Sequence, residues 1–194
     1  VRFISNHSTG KMGFSIARQA MLRGADVILI KGNTSVSPPP FVQVIDVVSA
    51  ADMFLAVKKH YKECNIIIKS AAVADYRPSH ISDEKIKKKS DDMSIALTRT
   101  DDILEYLGKN CSEGQYICGF SMETENMIEN SRSKLIKKNL DMIVANNLKQ
   151  DGAGFAGDTN IITMITQDTQ KQLPLLSKDE AADQILTFIS EMIK

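Results

Sequence analysis

Four short stretches of this chain hold the residues with chemistry to offer. Asn6-His7-Ser8-Thr9-Gly10-Lys11-Met12-Gly13 leads into a helical pattern, and small residues at a helix start expose N–H groups to an anion that the helix dipole favours. It is neither a GxxxxGK[ST] loop nor a full GxGxxG, so a plain helix cap with close-packing glycines reads equally well. Ser70-Ala71-Ala72-Val73-Ala74-Asp75-Tyr76 ends an apolar run in small residues, against which a flat ligand could lie. Asp75 at that tip could hold a metal ion or a ligand hydroxyl, or merely cap the next turn. Glu84-Lys85-Ile86-Lys87-Lys88-Lys89 is either a solvated loop or a lid whose lysine closes on phosphates and excludes water. In Arg132-Ser133-Lys134-Leu135-Ile136-Lys137-Lys138, Lys134 and Lys138 stand four apart and share one helix face. Such a pair suits a triphosphate, and it equally suits the negative end of the helix dipole.

These stretches need a scaffold, and the remaining pattern supplies one. β-Branched runs at Asp26–Ile30, Val42–Val47, Asn65–Lys69, Gln115–Phe120 and Asp141–Ala145 alternate with amphipathic stretches. The latter, at Lys11–Arg23, Ala50–Tyr61, Asp101–Lys109, Thr124–Lys138 and Lys178–Ile193, predict helices. This alternation is the mark of βα units around a mostly parallel sheet. Gly24 suits a helix C-terminus, and Ser49 and Ser177 suit N-caps. Two segments break the rhythm: Lys85–Arg99 reads as a charged hairpin or flap, and Asn160–Leu175 as a late antiparallel pair turning near Asp168. Pro38-Pro39-Pro40 is a stiff loop within one domain. In open α/β sheets ligands bind beyond the carboxyl ends of the strands, and the unusual residues gather at those ends.

Composition narrows the field. The 194 residues carry 24 Lys or Arg against 24 Asp or Glu, and 43% are hydrophobic. That is the make-up of a globular domain rather than a disordered chain. A zero balance gives no support to nucleic-acid coating, though local clusters can still hold small anions. No apolar run has the length of a membrane span, and no signal peptide opens the sequence. Cys64, Cys111 and Cys118 form no CxxC and no zinc spacing with His7, His60 and His80, so they read as reduced, part-buried thiols in a cytoplasmic protein. The start at Val1-Arg2-Phe3, without Met, reads as a piece of something longer.

Arg2-x-Ile4-Ser5-Asn6-His7-Ser8-x-Gly10-Lys11-Met12-Gly13-Phe14, Ala71-Ala72-Val73-Ala74-Asp75-Tyr76 and Glu84-Lys85-Ile86-Lys87-Lys88 occur here in one order. Gly119-Phe120-x-x-Glu123-Thr124 and Lys137-Lys138-Asn139-Leu140-Asp141-x-Ile143-x-Ala145-Asn146 follow, then Gly154-Phe155 and Leu173-Pro174-Leu175. Together they resemble the phosphopantothenate–cysteine ligase domain of bacterial coenzyme A biosynthesis, across essentially residues 1–194. The resemblance implies a Rossmann-like three-layer α/β sandwich with a lysine-rich flap and a late antiparallel strand pair. It also implies an enzyme that uses CTP and Mg²⁺ to turn the carboxylate of 4′-phosphopantothenate into an acyl-cytidylate. Attack by the amine of L-cysteine then gives 4′-phosphopantothenoylcysteine and CMP.

Residue by residue, the resemblance puts Asp75 and Lys85 on CTP or its metal, with Lys85 on the lid. It faces the backbone of Ala71 and Ala72, the turn Asp101-Asp102-Ile103-Leu104, and Phe120 toward the nucleotide. Lys134 and Lys138 bind the triphosphate, while Asn6 handles the acyl-cytidylate, supported by Arg2 near a homodimer interface. The chemistry agrees, because a departing pyrophosphate needs an electrostatic clamp and the intermediate needs shelter from water. In two respects the chain departs from the family pattern. The family's first strand and Gly-rich loop would precede Val1, and Asp101 stands where a Pro is common. A flavin decarboxylase domain often precedes the ligase, so FMN is expected only where that domain is present. A nicotinamide reductase is the rival on the same sheet, but no Tyr-x-x-x-Lys pair exists, since Tyr106 and Lys109 have only two residues between them. A nucleic-acid grip by Lys85–Lys89 lacks interleaved aromatics.

Overall fold

The computed structural model of the chain describes residues 3–34, 36–82, 84, 94–123, 125–147 and 157–193. Strands β1 (Ile28–Lys31), β2 (Gln43–Asp46), β3 (Ile66–Lys69), β6 (Tyr116–Glu123) and β7 (Met142–Asn147) lie where the β-branched runs predict them. The helices α1 (Lys11–Leu22), α2 (Ala50–His60), α3 (Ile103–Asn110), α4 (Met127–Lys137) and α5 (Lys178–Met192) alternate with them. Between β3 and α3, β4 (Tyr76–Pro78) pairs antiparallel with β5 (Leu97–Arg99). This pair is the base of the excursion that carries the lysine run, whose residues 85–93 lie outside the described residues. After β7 come β8 (Thr159–Asn160), β9 (Ile162–Ile165), β10 (Gln170–Gln172) and β11 (Leu176–Ser177).

The central sheet is mixed, in the order β10-β9-β7-β6-β3. Strands β3, β6 and β7 run parallel, and β9 and β10 extend the sheet antiparallel. The late antiparallel pair is therefore present, and it turns at Thr166–Thr169, where Thr166 N–H donates to the Thr169 carbonyl at 2.9 Å. Among the described residues β1 and β2 pair only with each other, in parallel. One apolar cluster (Ile16, Cys118, Val144, Ile162, Ala181, Ile185) fills the space between the sheet and α1 and α5. A second (Met53, Ile103, Leu107, Ile117, Leu135, Ile143) fills the opposite face beneath α2, α3 and α4. Helix, sheet and helix thus form three layers, the α/β sandwich that the alternation implies.

Local chemistry sets the helix ends. Ser49 and Ser177 each close a capping box, with Asp52 and Glu180 returning the bond. Gly24, at φ 85°, follows α1, and its N–H donates to the Met21 carbonyl at 2.9 Å. Several boundaries move from their predicted places. Strand β6 overruns Phe120 by three residues because Ser121, Met122 and Glu123 still pair with Ala145, Asn146 and Asn147. Its Ser121 hydroxyl also finds the Ser131 hydroxyl of α4 at 2.6 Å, so burial there leaves no orphan. Helix α4 consequently begins at Met127, after Asn126 in the left-handed region, rather than at Thr124. Helix α3 begins at Ile103, because Asp102 serves as its cap and accepts the Glu105 N–H at 3.0 Å.

Candidate functional site

The exit of β3 is the organising point. Asn6 Nδ2 donates to the Ala72 carbonyl at 3.3 Å, so the segment before α1 rests on the small-residue loop that follows β3. The first turn of α1 presses on the same exit: a Cβ at Gly13 would stand 2.8 Å from Ser70 Oγ. From the other side Thr100 N–H donates to the Asp75 carbonyl at 3.0 Å, and Thr100 Oγ1 to the Ala74 carbonyl at 2.7 Å. The loop carrying Ala71, Ala72 and Asp75 is therefore held between Asn6 and the residues entering α3, with the Asp75 side chain exposed. Four of the residues singled out from the sequence (Asn6, Ala71, Ala72 and Asp75) fall together here.

The cations form the second part. Lys138 Nζ meets Asp102 Oδ2 at 2.6 Å, tying the end of α4 to the start of α3, with the Lys138 side chain only 19% exposed. Lys134 Nζ lies 3.6 Å from Glu123 Oε1 at the end of β6. The two lysines thus stand four apart, in the last turn of α4 and at its C-cap, each set against a carboxylate. Arg132 of the same basic run is spent on structure: it donates to the Thr166 and Gln167 carbonyls of the β9–β10 turn, at 3.2 and 2.6 Å.

Lys69, the last residue of β3, joins them, although nothing in its spacing singles it out. Burial pushes its ammonium below the usual lysine range, and nearby Lys138 adds to the effect. Asp102 and Asp75 oppose both, and Lys134 lies within electrostatic reach as well. The available signal is a lysine closing the apolar run Ile66-Ile67-Ile68 at a carboxyl end, directly before the small-residue loop.

Burial alone would raise the Asp102 carboxyl, yet the bond from Lys138 and the Glu105 N–H hold it below the usual carboxylate range. A depressed folded-state pKa adds stability above the ordinary Asp value of about 3.9, and that stability is lost as pH falls through the folded value. Asp102→Asn keeps a good cap and removes the charge. Thermal melts across pH 3–7 should show the variant least stable relative to the parent above about pH 5, with the gap closing toward pH 3. A gap independent of pH would contradict this role for the Lys138–Asp102 pair.

The other expected site residues divide. The side chains of Ile103 and Leu104 are 3% and 4% exposed in the core, so only their backbone at the start of α3 could meet a nucleotide. Asp101 and Asp102 are exposed and, with Phe54, Glu105, Tyr106, Lys109 and Asn110, line a cleft of about 230 Å³. Phe120 packs against the α1–α5 core, on the opposite sheet face from the α3–α4 core. Arg2 and Lys85 lie outside the described residues. A larger concavity, about 660 Å³, is lined by Gln19, Leu173, Pro174 and Asp183 among others and includes none of these residues. At the end of β7, Asn146 Oδ1 is buried and finds no hydrogen-bond partner among the described residues, an acceptor to which the sequence assigns no role. Among the described residues no three His, Cys, Asp or Glu side chains converge as a metal cage. One exposed carboxylate at Asp75 fits Mg²⁺ arriving on substrate phosphates, which keeps its waters and takes one or two protein oxygens.

Comparisons with known proteins agree on one family. The family described as DNA/pantothenate metabolism flavoprotein, C-terminal domain, matches residues 1–193. The chain is 46% identical over 196 residues to the coenzyme A biosynthesis bifunctional protein CoaBC of Bacillus subtilis, covering all of this chain and 48% of that protein. To the protein of the same name from Escherichia coli K12 it is 44% identical over 182 residues, covering 92% of this chain and 45% of that one. The chain thus spans about half the length of these curated relatives. A crystal structure of the C-terminal domain of coenzyme A biosynthesis bifunctional protein CoaBC superposes with a TM-score of 0.84 at 42% identity, covering 100% of this chain and 87% of that one.

Proposed function

We propose, from the premise that this chain belongs to the family of DNA/pantothenate metabolism flavoprotein C-terminal domains, that it is the ligase of coenzyme A biosynthesis joining 4′-phosphopantothenate to L-cysteine. The reaction runs in two displacements. A carboxylate oxygen of 4′-phosphopantothenate attacks the α-phosphorus of CTP and pyrophosphate leaves, giving the acyl-cytidylate. The cysteine amine then attacks the acyl carbon, gives up a proton, and CMP departs as the amide forms.

The observation that carries this reading is the gathering of Lys69, Lys134, Lys138, Asp75 and Asp102 beside a small-residue loop that Asn6 holds by its carbonyl. Departing pyrophosphate carries the charge that must be stabilised, and lysines fixed in a part-buried cluster do so without reorganising. Asp75, together with the phosphates, would hold Mg²⁺, which would supply neutralising charge on the nucleotide. The small side chains of Ala71 and Ala72 leave backbone open to the nucleotide, as do the first residues of α3 and the half-buried Phe120. Lys85, on the excursion whose base is β4–β5, closes on the phosphates and keeps water from the intermediate. Asn6 and Arg2 serve the acyl-cytidylate, in a homodimer and in the cytoplasm. FMN belongs to a decarboxylase domain where the full-length protein carries one. No helix among the described residues is long and apolar enough to cross a membrane.

The intact protein with CTP, Mg²⁺, 4′-phosphopantothenate and cysteine should release one pyrophosphate per CMP, with CMP release dependent on cysteine. Release of neither product with a full-length protein contradicts the ligase reading.

A further inference from the structure

We propose that Lys69 is a further polyphosphate-binding cation of this site, meeting the β- and γ-phosphates of the nucleotide. The inference rests on the ligase reading for the identity of the anion and on the fold for the residue. Ile67 packs into the core beneath α2, α3 and α4, and Ile68 into the opposite core beneath α1 and α5. Side chains alternate along a strand, so Lys69 shares the face of Ile67 and points toward the layer that holds Asp102 and Lys138. It stands at the carboxyl end of β3, directly before the loop that Asn6 and Thr100 hold.

The charges around it are unequally committed. Lys138 is engaged by Asp102 at 2.6 Å and Lys134 by Glu123 at 3.6 Å, whereas no hydrogen bond or ion pair engages the Lys69 ammonium among the described residues. The charged groups within electrostatic reach of it are Lys134, Lys138, Asp75 and Asp102. A part-buried ammonium with three donors and no acceptor at bonding distance is costly to keep. Anionic oxygens placed above it would satisfy those donors. They would also relieve its repulsion with Lys138, because a polyanion between two cations attracts both. The depressed pKa of Lys69, from burial and from Lys138, is consistent with a site that awaits an anion.

Titration calorimetry of the full chain with magnesium CTP and with CMP tests this. Lys69→Met should weaken CTP binding about tenfold or more, one charged contact being worth about 1.4 kcal/mol, and leave CMP affinity within about twofold. Its melting temperature should not fall, since a buried charge is replaced by an apolar chain of similar length. Lys69→Gln serves the same purpose with a polar end should the Met variant fail to fold. Unchanged CTP affinity in either folded variant overturns the role of Lys69, as do equal losses for CTP and CMP. If the parent protein itself binds no CTP, the ligase reading falls, and the assignment of Lys69 falls with it.

Discussion

Gly108→Ala is expected to lower stability by about 3 kcal/mol and to weaken nucleotide binding at the same time. A Cβ at Gly108 would stand 1.8 Å from the Lys138 carbonyl oxygen and 3.1 Å from that of Asn139, both backbone atoms. No rotamer change relieves such an overlap, so α3 must move away from the corner between α4 and β7. That corner is already tightly specified: Asn139 lies at φ 51°, and its Nδ2 donates to the Gly108 carbonyl at 2.9 Å. The displacement reaches the site because α3 begins at Asp102 and the corner begins at Lys138, the partners of the 2.6 Å ion pair. Denaturant midpoints and the KM for CTP read the two effects separately. A Gly108→Ala protein with parental stability would show that α3 and the corner are not in the contact described.

Asn6→Asp is expected to separate the two half-reactions. In the protein Asn6 Nδ2 donates to the Ala72 carbonyl, and a carboxylate in its place would present an acceptor to an acceptor. The small-residue loop then loses that tie, and a negative charge enters a site built for phosphates. If Asn6 steadies the acyl-cytidylate while the amine attacks, loss of its donor should cut cysteine-dependent CMP release about 100-fold or more. Pyrophosphate release in a single turnover, which precedes that attack, should fall by less than about tenfold, and the acyl-cytidylate should accumulate. Quench-flow with separation of the nucleotides makes the comparison. Equal losses in both steps would remove Asn6 from the second half-reaction.

Much of the architecture was legible because each element is locally consistent. The runs around Ile67, Ile117 and Val144 are apolar and β-branched, the helices between them are amphipathic, and Ser49 and Ser177 cap where their side chains suggest. The carboxyl end of β3 brings Ala72 and Asp75 to the loop that Asn6 holds, as the general rule for open α/β sheets leads one to expect, while Lys138 arrives from the C-terminal end of α4. Pairings across long sequence separations were not legible. Lys138 and Asp102 lie 36 residues apart, and only the packing of α3 against α4 makes them partners. Asp102 reads from the sequence as a nucleotide contact, and it is also the cap of α3 and the counter-ion of Lys138. Lys69 looks like the last residue of a strand until its neighbours are known. The extra length of β6 comes from ladder pairing with Ala145, Asn146 and Asn147, and the buried hydroxyl of Ser121 is satisfied there only by Ser131 of α4, a partner ten residues on that the sequence does not announce. Gly108 likewise looks like a weak helix residue, and only the Lys138 carbonyl beside it explains the choice.

The central claim is that the substrate carboxylate is activated by transfer of a cytidylyl group, and one isotope measurement tests it most directly. 4′-Phosphopantothenate labelled with ¹⁸O in its carboxylate is turned over by the intact protein with CTP, Mg²⁺ and cysteine. Mass spectrometry then follows the label. An acyl-cytidylate leaves one carboxylate oxygen on the phosphorus of CMP, so each amide formed should yield one singly labelled CMP and unlabelled pyrophosphate. Label in inorganic phosphate with CDP as the nucleotide product, or CMP without label, would contradict the account.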